Sequence, residues 1–508
     1  MNDYDVVIIG SGLGGLVCGA ILSMHGYKVC ILEKNRQPGG CLQTYARDKT
    51  IIDTGVHYIG ALGEGQVLNR IFSYLGIMGD LKLKQMDRDC FDAICFAGDN
   101  KEYRLAQGYD NFKAQLLKDF PAEQAAIDTY CATIKDVCSR FPLYNLRNAT
   151  YEEKESVLGI DAATFIASVT TNETLRQVLA GNNLLYAGVA NQTPLYIHAL
   201  ITNSFIESSW KCVDGGSQIA RLLVKRIAAQ GGILRRNTKV TAIGADDTHA
   251  THVVLENSEK ITATHFISNL HPAQTVELTE SPLLRQVYRK RMKGAENTIS
   301  TFLMNIVMKK DTFPYLNHNV YYHEHVNAWE GVEYTDDNWP LTYALFGNAS
   351  SKNKEYSDSL TIMTYMRYDD VAQWEDTFNT DSQSSERCAD YQTYKQQKAE
   401  RLLDVVEKKF PNIRQCIQSY YVATPLTYRD YQGTSDGSMY GIAKDYRNTF
   451  RSFIATRTRI PNLFLAGQNL NLHGILGVTI SSLTTCGELI DIDTLLQKIN
   501  DNDDEKTT

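Results

Sequence analysis

The chain has 508 residues, a formal net charge of −8 and an ordinary globular composition, 43% hydrophobic and 22% charged, with 34 glycines and 11 prolines. That length exceeds a typical single core, so two domains are expected, and the acidic balance argues against nucleic acid as the main partner. Its 11 cysteines (Cys18, Cys30, Cys41, Cys90, Cys95, Cys131, Cys138, Cys212, Cys388, Cys416 and Cys486) form no CxxC pair and no zinc-ligand spacing, which fits buried thiols in a reducing compartment and no metal site.

The first predicted strand, "YDVVIIG", opens so close to Met1 that no secretory leader is expected, and no apolar run reaches spanning length. A cytoplasmic protein with at most a peripheral membrane contact follows. The strand stops at Gly10, and Gly10, Gly12, Gly14 and Gly15 lead into the helix "LVCGAILSMHG". The spaced glycines serve different ends. Gly10 permits the tight turn, Gly12 lets the backbone approach a pyrophosphate, and Gly15 lets the helix pack on the strand. The helix end adds N–H groups and a positive partial charge. A second strand, "YKVCILEK", ends in Glu33 and Lys34, with Glu33 placed to accept hydrogen bonds from a ribose. "NRQPGGCLQTY" then supplies Gly39, Gly40 and Cys41, followed by "TIIDTGVHYIGAL", in which Asp53 is read as a turn cap. A nicotinamide domain has no use for this second glycine pair. Large flavoproteins run the segment back under the pyrophosphate towards the flavin ring, so FAD is the expected dinucleotide.

From about Phe72 to Ser208 the pattern is helical and irregular. Within it, Gln177 to Ile206 contains no Asp, Glu, Lys or Arg; it is either a pair of core helices, the wall of a tunnel for a long apolar ligand, or both. "CVDGGSQIARLLVKRIAAQGGILRRNTKVTAI" restores a glycine turn, an amphipathic helix and a strand through Val240 and Ile243. "ATHFISNLHP" adds a strand ending at Ser268-Asn269, and Pro272 is expected to mark the exit to a substrate domain. Residues 280–440 are rich in aromatics and include the candidate strands "ISTFLMNIVM" and "SLTIMTYMR". At the far end, "NLFLAGQNLNLHGILGVTISSLTTCGELI" reads as a strand, a Gly467-Gln468 turn, a loop and a helix from about Val478. Either the N–H groups of Gly477, Val478 and Thr479 are aimed at the flavin's N1/O2 edge, or the segment is a plain strand-loop-helix unit with a docking helix. The acidic "DNDDEKTT" is read as a frayed terminus.

Four stretches carry a resemblance to the retinol saturase, carotenoid isomerase and phytoene desaturase group of FAD-dependent oxidoreductases. They are "VVIIGSGLGGL" with "ILEKNRQPGGCLQTY", "DTGVHYIGAL", "ATPLTYRDYQGTSDGSMYG" and "LFLAGQNLNLHGILG". The resemblance spans nearly the whole chain and is closest to the saturase branch. Cys41 stands where many related amine oxidases have arginine, and Gln468-Asn469 stand where many flavoproteins have an acidic residue near the ribityl hydroxyls. An amide still hydrogen-bonds a hydroxyl. The resemblance implies that backbone near Val240 reads the adenine. It also implies hydride transfer at flavin N5 to or from carbon–carbon double bonds of a polyene or isoprenoid lipid: saturation, desaturation or cis–trans isomerisation.

The expected fold is α/β: a discontinuous Rossmann-like FAD domain of the glutathione-reductase/amine-oxidase type over 1–75, 209–280 and 441–495. An α+β substrate domain over 76–208 and 281–440 is inserted in it, and 496–508 forms the tail. Among ionisable groups in flavin-facing motifs, His57, Tyr58, His473, Tyr428 and Tyr440 are the candidate proton donors, each with a packing or hydrogen-bonding role as its alternative. NAD(P)H, a quinone or a redox protein can each supply electrons. Two other functions remain open: an ene-reductase of a steroid-like enone, and a non-enzymatic escort, which the complete set of flavin motifs disfavours.

Overall fold

The computed structural model describes residues 2–148, 152–381 and 387–507, with backbone alone at 450, 451 and 503–507. The β-branched strand Tyr4–Ile9 lies in the middle of an eight-stranded sheet, with Val6 to Ile9 buried. Strands covered on both faces read as such continuous apolar runs. It pairs in parallel with Val29–Leu32 on one side and Lys260–Ser268 on the other. Ile233–Arg235 extends the first edge and Leu463–Leu465 pairs in parallel with Lys260–Ser268. The helix Leu13–Met24 packs against both Ser217–Ala229 and Gly474–Cys486, so the two ends of the chain meet on one face of this sheet.

A second, seven-stranded sheet carries the strands expected at 300–308 and 359–366. Ser300–Met308 and Ser359–Met366 pair antiparallel, residue for residue from Ser300 with Met366 to Val307 with Ser359. Ile417–Ala423 flanks this pair at one edge, and Thr342–Gly347 and Asn319–His323 continue on the other side. Asp92–Phe96, drawn from the first insertion, pairs in parallel with Asn319–His323. The two insertions therefore share one sheet. A short strand, Ser209–Cys212, pairs with both Ile59–Gly60 and Leu83–Gln85 and ties the sheets together.

The apolar stretch 177–206 belongs to the core packed on the second sheet and also lines the cavity described below through Leu185, Leu200, Ile201 and Phe205. It contains the turn Asn183–Tyr186 and all but the last residue of the helix Leu195–Glu207, which is buried over nearly all its length.

Three expectations are corrected. Pro272 does not release the chain: it opens the helix Pro272–Leu278 as an N-terminal residue, a position that needs no N–H, and Thr279–Glu280 then rejoins the first sheet. The helix expected from about Val478 starts at Gly474, with His473 as its N-cap. The tail does not begin at 496: Ile492–Thr507 is a helix docked on Val67–Tyr74 through buried Leu495, Leu496 and Ile499, with the acidic stretch from 501 continuing it as helical backbone; Thr508 lies outside the described residues. Among the described residues, no helix is long and apolar enough to cross a membrane. All cysteines are free, and all but Cys41 and Cys388 are buried.

Candidate functional site

A cavity of about 1050 Å³ lies between the two sheets. It begins in the crevice at the carboxyl ends of Tyr4–Ile9, Val29–Leu32 and Lys260–Ser268, where neighbouring strands diverge to opposite sides, the usual place for a ligand in an open α/β sheet. Gly10, Gly12 and Gly14 line this end, facing Gly40 and Cys41. The two glycine turns touch: Gly12 bridges Gly39, and a Cβ on Gly40 would sit 3.2 Å from the Gly12 Cα. A Cβ on Gly14 would lie 2.9 Å from the Gly467 Cα. Gly15 is outside the cavity; its Cβ would meet the Gly10 carbonyl oxygen at 2.1 Å, which makes it a packing glycine.

Glu33 is buried at the end of its strand. Its Oε2 accepts from the Ser11 N–H (2.9 Å) and hydroxyl (2.6 Å), and its Oε1 accepts from the Asn35 N–H (2.8 Å). An ionised carboxylate has lone pairs left for a further donor. The Lys34 ammonium donates to the Asp430 carbonyl (2.9 Å), so it fastens the motif at 423–441 to this end, and burial lowers its pKa. Val240 lines the same end, where a register shift follows it in the strand Val240–Ala245.

Gly467, Gln468, Gly477 and Val478 line the cavity as well. Thr479 does not, and its buried hydroxyl has no partner among the described residues. With the helix beginning at Gly474, its first unpaired N–H groups belong to the residues ahead of Val478 and Thr479. Sequence reasoning does not single out Asn269. Its amide lies where Cβ atoms on Gly12, Gly14 and Gly467 would fall, at 2.8, 2.6 and 2.7 Å. The available signal is its place one residue past the strand Lys260–Ser268, beside the glycine turn.

All five proton-donor candidates line the far part of the cavity. His57 stacks on Phe346 with centroids 4.4 Å apart, and its buried Nδ1 has no hydrogen-bond partner among the described residues. Burial, reinforced by the nearby Lys211 cation, holds its pKa down to about 3, so the ring is neutral. Tyr58 donates its hydroxyl to Asp92 (3.0 Å), and Tyr321 shares that hydroxyl at 2.7 Å. Burial raises its pKa well above the phenolic range, and the group is committed within this network. Tyr428 donates to the Thr54 carbonyl (3.4 Å) and Tyr440 to that of Leu184 (3.0 Å). His473 contacts the Leu185 carbonyl through Nε2 at 3.0 Å, which fixes Nε2 as the protonated nitrogen, and burial lowers its pKa to about 4. Leu200, Ile201, Phe205, Phe346 and Met363 complete an apolar wall.

Asp53 accepts the Gly216 N–H at 2.7 Å and so caps the Asp214–Gly216 turn, and burial raises its pKa to about 7. Asp92 and Lys211 escape sequence reasoning because neither belongs to a motif. Asp92 is fully buried and accepts from Asn319 (2.9 Å), Asn182 (3.2 Å) and Tyr58.

Residues 8–75 match the NAD(P)-binding Rossmann-like domain family. The chain is 26% identical over 523 residues to the human all-trans-retinol 13,14-reductase, spanning 94% of this chain and 84% of that one. It is 23% identical over 505 residues to a chloroplastic prolycopene isomerase of Daucus carota, spanning 95% and 79%. Among solved structures, a putrescine oxidase redesigned in its cofactor binding superposes with a TM-score of 0.66 at 12% identity, covering 97% of this chain and 99% of that one. The α/β fold and the likeness to the saturase and isomerase group, expected from the motifs, are both borne out.

Proposed function

We propose that this chain, similar over nearly its whole length to retinol 13,14-reductases and prolycopene isomerases, is itself an FAD-dependent oxidoreductase acting on carbon–carbon double bonds of a polyene or isoprenoid lipid. The observation that carries the reading is continuity. One cavity runs from the glycine turns and Glu33 to a wall of apolar and aromatic side chains that contains neutral His57 and His473.

The residues present suit the cofactor. Gly12, Gly14 and Gly40 line the cavity with backbone alone, packed so closely on Asn269, Gly467 and one another that a Cβ has no room, and the Ser11-anchored Glu33 carboxylate is assigned to a ribose hydroxyl. Val240 is assigned to the adenine end. Gln468 offers an amide to the ribityl chain, and the start of the helix Gly474–Cys486 directs its dipole at the ring. When bound, FAD supplies hydride exchange with the substrate carbon, chemistry that belongs to the cofactor. The protein's part is to hold the double bond in place and exclude water, for which Phe205, Phe346 and Met363 serve. It must also control a proton at the adjacent carbon. His57 and His473, neutral and next to the apolar wall, are the assigned groups; Tyr58, Tyr428 and Tyr440 are assigned to shaping the ligand surface. NAD(P)H is assigned as a diffusible electron donor.

The test is anaerobic. The purified flavoprotein is reduced with dithionite, all-trans-retinol or prolycopene is added, and the flavin band is followed beside product mass. Reoxidation with a product two hydrogens heavier establishes a saturase. An isomer formed while the flavin stays reduced establishes an isomerase. Absence of flavin even after reconstitution with FAD refutes the proposal.

A further inference from the structure

A second cavity, about 530 Å³, abuts the first. The two share Tyr440, Gln468, Leu472 and His473 as a common wall. The core of that wall is the stacked pair Tyr440 and His473, with centroids 4.1 Å apart and planes 24° from parallel. Each ring is held by one side-chain hydrogen bond to successive carbonyls of a single turn: Tyr440 to Leu184 and His473 to Leu185, both at 3.0 Å. That turn, Asn183–Tyr186, ends at Ala187 in the left-handed region with φ 50°. Leu185 faces the first cavity while Tyr186 and Ala187 face the second, so a shift of this one turn releases both rings together. Beyond the pair, the chamber mixes apolar Ile197, Ile299 and Val332 with polar Glu296, Asp369 and Arg367.

We propose that the second cavity extends the ligand site and that Tyr440 and His473 form the gate between them. The extension receives the polar end of an elongated amphiphilic polyene whose chain is too long for the cofactor cavity alone. The inference rests on the polyene reading above and adds a length determinant to it. An apolar wall beside the reacting position and a far end carrying exposed Glu296 and Asp369 beside Arg367, which donates to the Val332 and Tyr334 carbonyls, match a chain that ends in a hydroxyl better than a pure hydrocarbon, whose apolar end would lie against a hydrated, charged rim.

The experiment uses the flavin-loaded protein, with all-trans-retinol as the short probe and zeaxanthin as the long, hydroxyl-ended one. Binding is read from perturbation of the flavin absorption. Ala443→Phe and Val332→Phe place bulk in the second cavity only, and the flavin spectrum reports that each variant is folded. Both plugs are expected to weaken zeaxanthin about tenfold or more while retinol stays within about twofold. Equal losses for both probes, no loss for either, or a wild-type protein that binds retinol and rejects zeaxanthin would each overturn the extension and leave the polyene reading standing. If neither probe binds the wild type, both proposals fall.

Discussion

His57 lies flat against Phe346, the planes 11° from parallel and the ring centroids 4.4 Å apart. This contact joins a loop of the dinucleotide side to the strand Thr342–Gly347 of the second sheet. The stack leaves Nδ1 buried and without a partner among the described residues, a cost the protein carries unless a ligand answers it. His57→Ala is expected to retain flavin and to lose about a hundredfold in turnover, the scale of a positioned proton-transfer group. Because its pKa is held at about 3, the wild-type rate should show no histidine inflection between about pH 5 and 8. Unchanged turnover in the variant would remove His57 from the chemistry.

Glu33 organises its surroundings before any ligand arrives, since it accepts three hydrogen bonds from Ser11 and Asn35. Glu33→Ala strips a charge-assisted acceptor worth roughly 1.5–3 kcal/mol from the ribose and orphans the Ser11 N–H. FAD affinity, read by fluorescence on reconstitution, should fall at least about tenfold. Retention of wild-type affinity would mean that the ribose is read elsewhere.

The raised pKa of Asp53, about 7, gives a pH signature with a definite sign. Between its ordinary value of 3.8 and that raised value the folded state holds a proton that the unfolded state has lost. Stability contributed at this site therefore falls as pH rises through the window, by up to about 1.4 kcal/mol per pH unit. Asp53→Asn keeps an acceptor for the Gly216 N–H and removes the titration. Its denaturation midpoint should gain on the wild type steadily from about pH 4 to 7. Parallel curves would show that the carboxylate is not desolvated as described.

Lys211 donates to the carbonyls of Gly347 (2.8 Å) and Leu316 (3.3 Å) from a site that is 1% exposed. Burial lowers its pKa from 10.5 to about 7, so between those values the unfolded state binds the extra proton and stability at this site rises with pH. Lys211→Met leaves both carbonyls unpaired and should cost about 1–3 kcal/mol near neutral pH. It should also abolish the rise above pH 7, as denaturation at pH 7 and pH 9 will register. Since Gly347 follows Phe346, the variant should also loosen the His57 stack and raise the apparent pKa of His57, measurable by NMR of the ring protons.

The parts of the site legible in the sequence are those built from neighbours in the chain. The spacing of Gly10, Gly12 and Gly15 and the position of Glu33 follow from a turn and one strand. Ser300–Met308 and Ser359–Met366 announce themselves by β-branched and aromatic content, although both faces are buried and no alternation marks them. What stays hidden depends on distant partners. Nothing local in Asp92–Phe96 says that it pairs with Asn319–His323, more than two hundred residues on. The commitment of the Tyr58 hydroxyl to Asp92, and the clamp of Lys211 on Gly347, exist only once that sheet is assembled. The start of the last helix is hard to place from sequence because the glycine at 474 reads as loop, yet it opens the helix at a positive φ of 74°.

The meeting of Leu13–Met24 with Gly474–Cys486 bears on how the protein matures. The Ser482 hydroxyl donates to the Gly14 carbonyl across a separation of 468 residues, and the Cys18 thiol donates to the Ser482 carbonyl. The glycine turn therefore emerges from the ribosome long before the segment that closes over it. During synthesis it waits as an unsealed half-pocket. On the proposed reading, flavin capture is expected to be a late event in the life of the chain, and a truncation that removes Gly474–Cys486 is expected to forfeit the cofactor however well the preceding strands have folded.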